Sequence, residues 1–485
     1  MAGTFHAVKW LFFRNASRQV TAFVFTLFMS RILNVDDFGT IGIIYVFIEL
    51  SNLFMDMGLG GALIQKREIQ EEDYATVFYL NLIFGVLLTV IFYSSAGLFA
   101  SFFKIPVLED ITKVLSVIFI INSLTIVQST RQTKEINFSF KTKVSFIGDL
   151  IGSVIALVLA LNGFGVWSLV FKGIIASSII AASYWVLIPW RPLWYFNWKR
   201  LQSLWGFGFK MFISNVIDII YARMDIILLG KLSSPAQLGL YFRAKSLNEL
   251  ATRYTVGSVS GAFYPLLCKV NHDLELFRNT VLKYYRIVSF GIFPMIGILY
   301  FVADELLVFL YSDKWIGASH YFKILAIVGP VYPLSLIVVN AISARGNVNL
   351  FLRLEVIKKI ILTLAIPIGI FYGFYFYLYS YVVLCYICLG LNMLYLYKDC
   401  PPITIKDQLR NTMPYFIYMV IVILPVMLVA YVFNIDAYIK LFGLPFMVCI
   451  LYWYLNKVVK SAAHADIKAF IVEKKWVPLK WQMML

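Results

Sequence analysis

Charged side chains lie within long apolar stretches of this sequence, and they have the chemistry to bind a ligand. Arg14 and Arg18 are spaced i,i+4 in the apolar run 10–33, so both lie on one face of a helix. Glu49 lies near the middle of the next apolar run. Asp56, seven residues later, lies on the same face of that helix. An ionisable group at the bilayer centre costs at least ~2.5–3.5 kcal/mol, so these groups must face a cavity, a partner or the interface. An Arg18–Glu49 ion pair would satisfy two of them.

A second polar stripe follows one face of a later helix. Lys245, Glu249 and Arg253 recur at i, i+4 and i+8, and Arg243 is nearby. Surplus arginine suits an anionic substrate, because a guanidinium grips phosphate through a planar fork. Structural ion pairing is the alternative role for all of these groups. We predict substrate-binding cations at Arg14, Arg18, Arg243, Lys245 and Arg253, and ion-coupling or paired acids at Glu49, Asp56, Asp149 and Glu249.

The composition indicates an all-α polytopic membrane protein. Of 485 residues, 61% are hydrophobic and 14% are charged, whereas an ordinary soluble protein is roughly 25% charged. We attribute the net charge of +16 to cytoplasmic loops rather than to nucleic-acid binding. The cysteines and histidines lack metal-ligand spacing, and the sequence contains neither a nucleotide-binding loop nor a compact catalytic constellation. We therefore expect no metal, no cofactor and no enzymatic activity.

Apolar windows divide the chain into fourteen predicted transmembrane helices. The excess of lysine and arginine in alternate loops places both termini in the cytoplasm. We predict an N-lobe at 1–189, a cytoplasmic linker at 190–200, a C-lobe at 201–398, two further helices within 399–457 and a basic amphipathic tail at 458–485. The predicted spans are 9–32, 38–64, 74–99, 110–130, 142–162, 165–188, 202–229, 235–263, 278–302, 320–343, 349–373, 376–397, 412–433 and 437–457.

The two predicted lobes are related by an internal repeat. A shift of 200 residues places Gly39 on Gly239 and Glu49 on Glu249 without a gap. The shift spans six helices, an even number, so the two copies share one orientation in the membrane. Parallel repeats of this kind are typical of transporters, with the substrate site between the halves.

Several short motifs resemble those of Wzx-type polysaccharide flippases. These flippases belong to the multidrug/oligosaccharidyl-lipid/polysaccharide exporter superfamily, and the likeness is greatest to the colanic-acid-exporter-like branch. It spans most of the first 350 residues. The motifs are RNASRQ at 14–19, SRIL at 30–33, DFG at 37–39, DMGLGGALIQK at 56–66, NGFGVWSL at 162–169, RMD at 223–225, LGK at 229–231 and LGLY at 238–241.

The resemblance implies two six-helix lobes around a cationic cavity, with two extra helices at the end. It also implies movement of an undecaprenyl-pyrophosphate-linked oligosaccharide between leaflets of the bacterial inner membrane, with H⁺ or Na⁺ as a possible coupling ion. Other polysaccharide assembly proteins would be its partners in the bilayer. By resemblance, Arg14, Arg18, Arg243 and Arg253 contact pyrophosphate or an acidic sugar.

Two other functions fit parts of the sequence. A cation-coupled multidrug antiporter of the same superfamily would need an acidic centre, whereas the first helix carries two arginines. A membrane polysaccharide polymerase or ligase would need a large external loop, whereas the predicted external loops are all short. The flippase is the function that the sequence favours.

Overall fold

The structure is a computed structural model that describes residues 19–66 and 68–473, and these residues form helices without a β-strand. A 3₁₀ turn covers Asp313–Trp315 and a π turn covers Ile439–Gly443. The α-helices are α1 (Gln19–Ile32), α2 (Val35–Asp56), α3 (Leu59–Gln65), α4 (Glu71–Phe103), α5 (Leu108–Lys134), α6 (Phe138–Leu161), α7 (Val166–Leu187), α8 (Trp198–Leu232), α9 (Pro235–Val270), α10 (Leu274–Phe301), α11 (Ala303–Tyr311), α12 (Ala318–Val328), α13 (Val331–Ala344), α14 (Val348–Thr363), α15 (Ala365–Tyr372), α16 (Phe374–Asp399), α17 (Ile405–Arg410), α18 (Met413–Val432), α19 (Leu444–Val458) and α20 (Ala462–Glu473).

Each predicted span lies on one helix or on consecutive helical segments, as far as the described residues extend. The prediction of one continuous helix over 38–64 is wrong. The chain breaks between α2 and α3 because Met57 and Gly58 adopt positive φ angles of 46° and 72°. The predicted span 320–343 is also divided, at Gly329 and Pro330. A proline has no N–H for the helical ladder, and its ring clashes with the preceding turn.

Ten helical segments of the described chain are long and apolar enough to cross a membrane, so the protein is a multi-pass membrane protein. Helices α8 and α9 are not among the ten, although they contain 35 and 36 residues. At 1.5 Å per residue each is more than about 50 Å long, which exceeds the hydrocarbon thickness of roughly 30 Å. Both helices carry ionisable residues along their length, and each includes residues whose side chains lie outside the described part of the structure.

The chain divides into two compact units, with the boundary inside α9. The first unit ends at Phe242 and the second begins at Arg243. In the first unit, α4 packs closely on α5, and Thr89 Oγ1 of α4 donates to the carbonyl of Ser116 of α5 at 2.9 Å. In the second unit, buried side chains of α10, α13, α16, α18 and α19 form one core. The predicted lobe boundaries stay predictions.

The predicted inter-lobe linker is attached to the first unit. Trp190 Nε1 donates to Glu71 Oε2 at 2.7 Å, and Arg200 Nη1 donates to Asp73 Oδ1 at 3.2 Å. Asp73 has a fully buried side chain, and Lys66 Nζ donates to it at 2.9 Å. A bending motion within residues 190–200 would have to break these bonds. The segment is therefore fastened to the first turn of α4.

We predict that Asp73→Ala destabilises the protein by about 2–4 kcal/mol. The change leaves Lys66 and Arg200 without their shared carboxylate, and hydrogen bonds to charged groups each contribute about 1.5–3 kcal/mol. The measurement is thermal unfolding of the purified protein in detergent. Glu72→Ala is the matched control, because its carboxylate is partly exposed and lies 3.9 Å from Arg200. Equal losses in both variants would contradict a special role for Asp73.

Candidate functional site

Glu49 of α2 and Arg223 of α8 form an ion pair in the first unit. Arg223 Nε lies 2.8 Å from Glu49 Oε2, and Nη2 lies 3.5 Å from Oε1. The two side chains are 41% and 29% exposed, so the pair is neither fully buried nor free in solvent. Arg14 and Arg18 lie outside the described residues, and the predicted Arg18–Glu49 pair stays a prediction. Arg223 is not among the predicted site residues, although the RMD motif at 223–225 lies on α8, which also carries Asp218.

The first turns of α2 and α9 meet through two glycines. A Cβ atom on Gly39 would lie 2.0 Å from the carbonyl oxygen of Pro235, and one on Gly239 would lie 2.1 Å from the carbonyl oxygen of Val35. Real Cβ atoms do not approach this closely, so only glycine fits either position. Residues 35 and 235, like 39 and 239, are separated by 200. The contact is therefore reciprocal, between positions that the internal repeat pairs in sequence.

A second polar contact joins α8 to the start of α9 in the first unit. Asp225 is 7% exposed and accepts a hydrogen bond from the hydroxyl of buried Tyr241. The backbone N–H of Ile226 donates to the other carboxylate oxygen at 2.9 Å. Burying a carboxylate is unfavourable unless hydrogen bonds replace its hydration. Both oxygens have such a donor, and the bond to Tyr241 links α8 to the start of α9.

The predicted cations of the second unit have different surroundings. Arg243 is 2% exposed, and its guanidinium carbon lies 5.1 Å and 5.2 Å from the ring centroids of Tyr311 and Trp315. This is cation–π geometry and keeps the guanidinium away from water in this conformation. Lys245 is half-buried. Arg253 lies on α9, but its side chain is outside the described part of the structure.

The predicted acids are not gathered in one cluster. Asp56 ends α2, and its Oδ1 accepts from the N–H of Gly60 at 2.9 Å, which secures the first turn of α3. Asp149 of α6 is half-buried and interacts electrostatically with Lys172 of α7. Glu249 is half-buried on α9 in the second unit.

No group of three or more His, Cys, Asp or Glu side chains in the described residues is arranged to hold a metal ion. The cysteines of this part of the chain are free thiols. The polar contacts of the described helices include ion pairs, hydrogen-bonded carboxylates and a cation packed against aromatic rings.

Comparison with known sequences identifies the family. The profile described as polysaccharide biosynthesis protein matches residues 28–320. The chain belongs to this family. The match includes α2 to α11 and therefore covers the Glu49–Arg223 pair, the reciprocal glycines and Arg243.

Curated relatives carry names from polysaccharide biosynthesis. The chain is 23% identical over 281 residues to the teichuronic acid biosynthesis protein TuaB of Bacillus subtilis, covering 58% of each chain. It is 21% identical to the succinoglycan biosynthesis transport protein ExoT of Rhizobium meliloti, covering 63% of this chain and 62% of that protein. It is 20% identical to the lipopolysaccharide biosynthesis protein WzxC of Escherichia coli, covering 70% of both chains. The chain thus spans about three fifths of the length of the first two relatives.

Solved structures show the same fold. The lipid II flippase MurJ, in an inward closed conformation, superposes with a TM-score of 0.71 over 94% of this chain and 99% of that chain, at 16% identity. An inward-facing multidrug resistance transporter of the MATE family superposes with a TM-score of 0.60 over 79% of this chain and 94% of that chain, at 15% identity. The predicted all-α exporter fold is confirmed.

We predict a coupling energy of about 1 kcal/mol between Glu49 and Arg223. Because both side chains are partly exposed, solvent screens their attraction. The measurement is a double-mutant cycle of Glu49→Gln and Arg223→Gln, read as unfolding in detergent. If the pair forms, the double variant loses less free energy of unfolding than the sum of the losses in the two single variants. Strictly additive losses would contradict the pair.

Proposed function

We propose that this protein flips an undecaprenyl-pyrophosphate-linked oligosaccharide from the cytoplasmic to the periplasmic leaflet of the bacterial inner membrane. Membership of the polysaccharide biosynthesis protein family supports this function. So do the names of the relatives, one of which is a transport protein for succinoglycan biosynthesis. The proposed protein is a transporter and not an enzyme, with both termini in the cytoplasm.

The observation that carries the proposal is the concentration of charge on α8 and α9. Both helices are long enough to cross a membrane, and ionisable residues lie within their length, namely Asp218, Arg223 and Asp225 on α8 and Arg243, Lys245 and Glu249 on α9. Intramembrane charges almost always face the interior of a helical bundle or a water-filled cavity. A polar cavity is what a sugar-bearing head group needs, because sugar and pyrophosphate cannot cross hydrocarbon unaided.

The cations are proposed to hold the pyrophosphate. Arg14, Arg18, Lys245 and Arg253 are the proposed contacts, with H⁺ or Na⁺ coupling through one of the predicted acids. Arg243 has its proposed role only after a rearrangement, because in the described conformation it packs between two aromatic rings. Partners in polysaccharide assembly would supply and consume the lipid-linked glycan.

A drug antiporter remains the second candidate, because multidrug transporters share this fold. It is less favoured, since the Glu49 carboxylate is paired with Arg223. A carboxylate that recognises a cationic drug must be available to it. The family match also favours the polysaccharide substrate.

Substitutions at Arg18 and Arg253 test the proposed substrate contact. Arginine-to-alanine changes should nearly abolish transport and leave protein abundance normal. Arginine-to-lysine changes should weaken transport moderately, because lysine keeps the positive charge but lacks the planar guanidinium that binds phosphate with two hydrogen bonds. The measurement is the amount of lipid-linked oligosaccharide in the periplasmic leaflet, together with protein level. Arg410→Ala is the control, because Arg410 is exposed at the end of α17.

The same experiment distinguishes binding from structural pairing. If Arg18 served only to neutralise Glu49, the double change Arg18→Ala with Glu49→Gln would restore both abundance and transport. Restoration would rule out Arg18 as a substrate ligand.

Alternating access predicts a movable contact at the first turns of α2 and α9. Gly39→Ala should lower transport at least about tenfold, because its Cβ would meet the Pro235 backbone, which cannot move aside as a flexible side chain can. Gly42→Ala on the same helix is the control, since its Cβ would lie 3.5 Å from the Phe242 ring, an ordinary contact. A tenfold change corresponds to about 1.4 kcal/mol, which is within the roughly 1–3 kcal/mol expected of such overpacking. Equal transport by both variants would contradict the proposed contact.

A further inference from the structure

A polar cavity of about 480 Å³ lies in the first unit, and neither Glu49 nor Arg223 is among its wall residues. Its wall includes Asn52 and Asp56 of α2, Asn122 and Thr125 of α5, and Lys141 of α6. The volume falls within the roughly 300–1,000 Å³ that is usual for small-molecule sites. Of its wall residues, only Asp56 has a role proposed above, as one of the predicted acids.

The spacing of the residues explains why their side chains converge. Asn52 and Asp56 are four residues apart on α2, so they share a helix face. On α5, Asn122, Thr125 and Ser129 recur at i, i+3 and i+7 and form one polar stripe. The amide of Asn122 donates to Asn52 Oδ1 at 3.1 Å, which joins the two stripes.

The break between α2 and α3 opens room beside the carboxylate. A Cβ on Gly60 would lie 2.7 Å from Asp56 Oδ1 and 3.1 Å from Thr130 Oγ1. Glycine at position 60 therefore lets the carboxylate and the hydroxyl approach the same backbone turn. The left-handed residues Met57 and Gly58 position this turn.

The cavity lies at the basic end of the first unit. Lys141 Nζ, on its wall, donates to Thr133 Oγ1 at 3.1 Å. Thr133 and Lys134 are the last two residues of α5, and Lys134 Nζ donates to the carbonyl of Leu63 at 2.8 Å. The positive-inside rule predicts a cytoplasmic location for these lysines. A substrate loaded from the cytoplasm would meet this end first.

The set of side chains indicates the class of ligand. The wall contributes one carboxylate and one ammonium, with amides and hydroxyls between them, so it offers acceptors and donors without a net charge. A pyrophosphate would be repelled by Asp56. A bare cation needs several oxygen ligands at about 2.0–2.6 Å and would be repelled by Lys141. A sugar has hydroxyls that donate and accept, and Ile64 and Ile126 can contact its C–H surface.

We propose that this cavity binds a sugar ring of the lipid-linked glycan, as a subsite separate from the cations that hold the pyrophosphate. The inference rests on the proposed flippase function. It assigns Asp56 and Lys141 to recognition of sugar hydroxyls, so the protein distinguishes a glycosylated lipid from the bare lipid pyrophosphate.

Binding of two lipids to the purified full-length protein tests this subsite. One probe is undecaprenyl pyrophosphate, and the other is the undecaprenyl-pyrophosphate-linked glycan fraction extracted from a source strain that lacks this gene. Affinities are measured by native mass spectrometry titration. The wild-type protein should bind the glycosylated lipid at least about tenfold more tightly, as expected for hydrogen bonds to charged groups.

Asp56→Asn and Lys141→Met should each reduce that preference by about tenfold and leave the affinity for undecaprenyl pyrophosphate unchanged. Asparagine can still accept from the Gly60 N–H, and methionine keeps the length of lysine. Lys143→Met is the matched control, because Lys143 is exposed two residues along the same helix and is not part of the cavity wall. It should change neither affinity.

The contrary outcomes are distinct. Equal weakening of both lipids by Asp56→Asn and Lys141→Met would indicate a phosphate site or a structural role and would overturn the sugar subsite. Unchanged binding of both lipids by both variants would overturn it as well. If the wild-type protein bound neither lipid, the proposed function itself would fail.

Discussion

The cost of placing charge among membrane helices is the constraint on which the first unit depends. Glu49 has Arg223 within 2.8 Å, and Asp225 accepts from the Tyr241 hydroxyl and from a backbone N–H. The Glu49–Arg223 and Asp225–Tyr241 contacts each join two helices, so compensation of a charge also fixes the placement of α2, α8 and the start of α9 within the unit. Polar side chains that would be unfavourable in lipid thereby become helix–helix contacts.

The reciprocal glycine contact complements these polar contacts. At Gly39 and Gly239, two backbones approach so closely that neither position can carry a side chain. Such a contact has no interlocked side chains that would have to unpack when the helices separate. In the proposed alternating access, the polar contacts along α8 hold the helices together, and the backbone contact at the first turns of α2 and α9 is the one proposed to open. Elsewhere in the unit, residues 190–200 are bonded to Glu71 and Asp73 in the first turn of α4 and restrain that region.

The sequence predicted the helices well, because long apolar runs can form few other structures in a membrane. The repeat also anticipated the equivalence of Gly39 and Gly239. The division of α2 from α3 was missed, because Met57 in a left-handed conformation leaves no signature in hydropathy. Spacing along one helix shows which charges share a face, but it does not show which neighbouring helix faces them. For that reason the pairing of Arg223 and the aromatic packing of Arg243 could be found only from the structure.

Lipid translocation by the purified protein tests the central claim most directly. Liposomes that contain undecaprenyl-pyrophosphate-linked glycan in both leaflets are treated with an impermeant reagent that oxidises sugar, with and without reconstituted protein. Protein-free liposomes should lose only the outer-leaflet fraction. Our account predicts that the reconstituted protein exposes the inner-leaflet glycan too, so that nearly all of it is oxidised while the vesicles stay sealed. The decisive control uses sealed vesicles that contain correctly folded protein and are supplied with H⁺ and Na⁺ gradients. If the inner-leaflet glycan stays protected from oxidation there, the protein does not translocate this lipid.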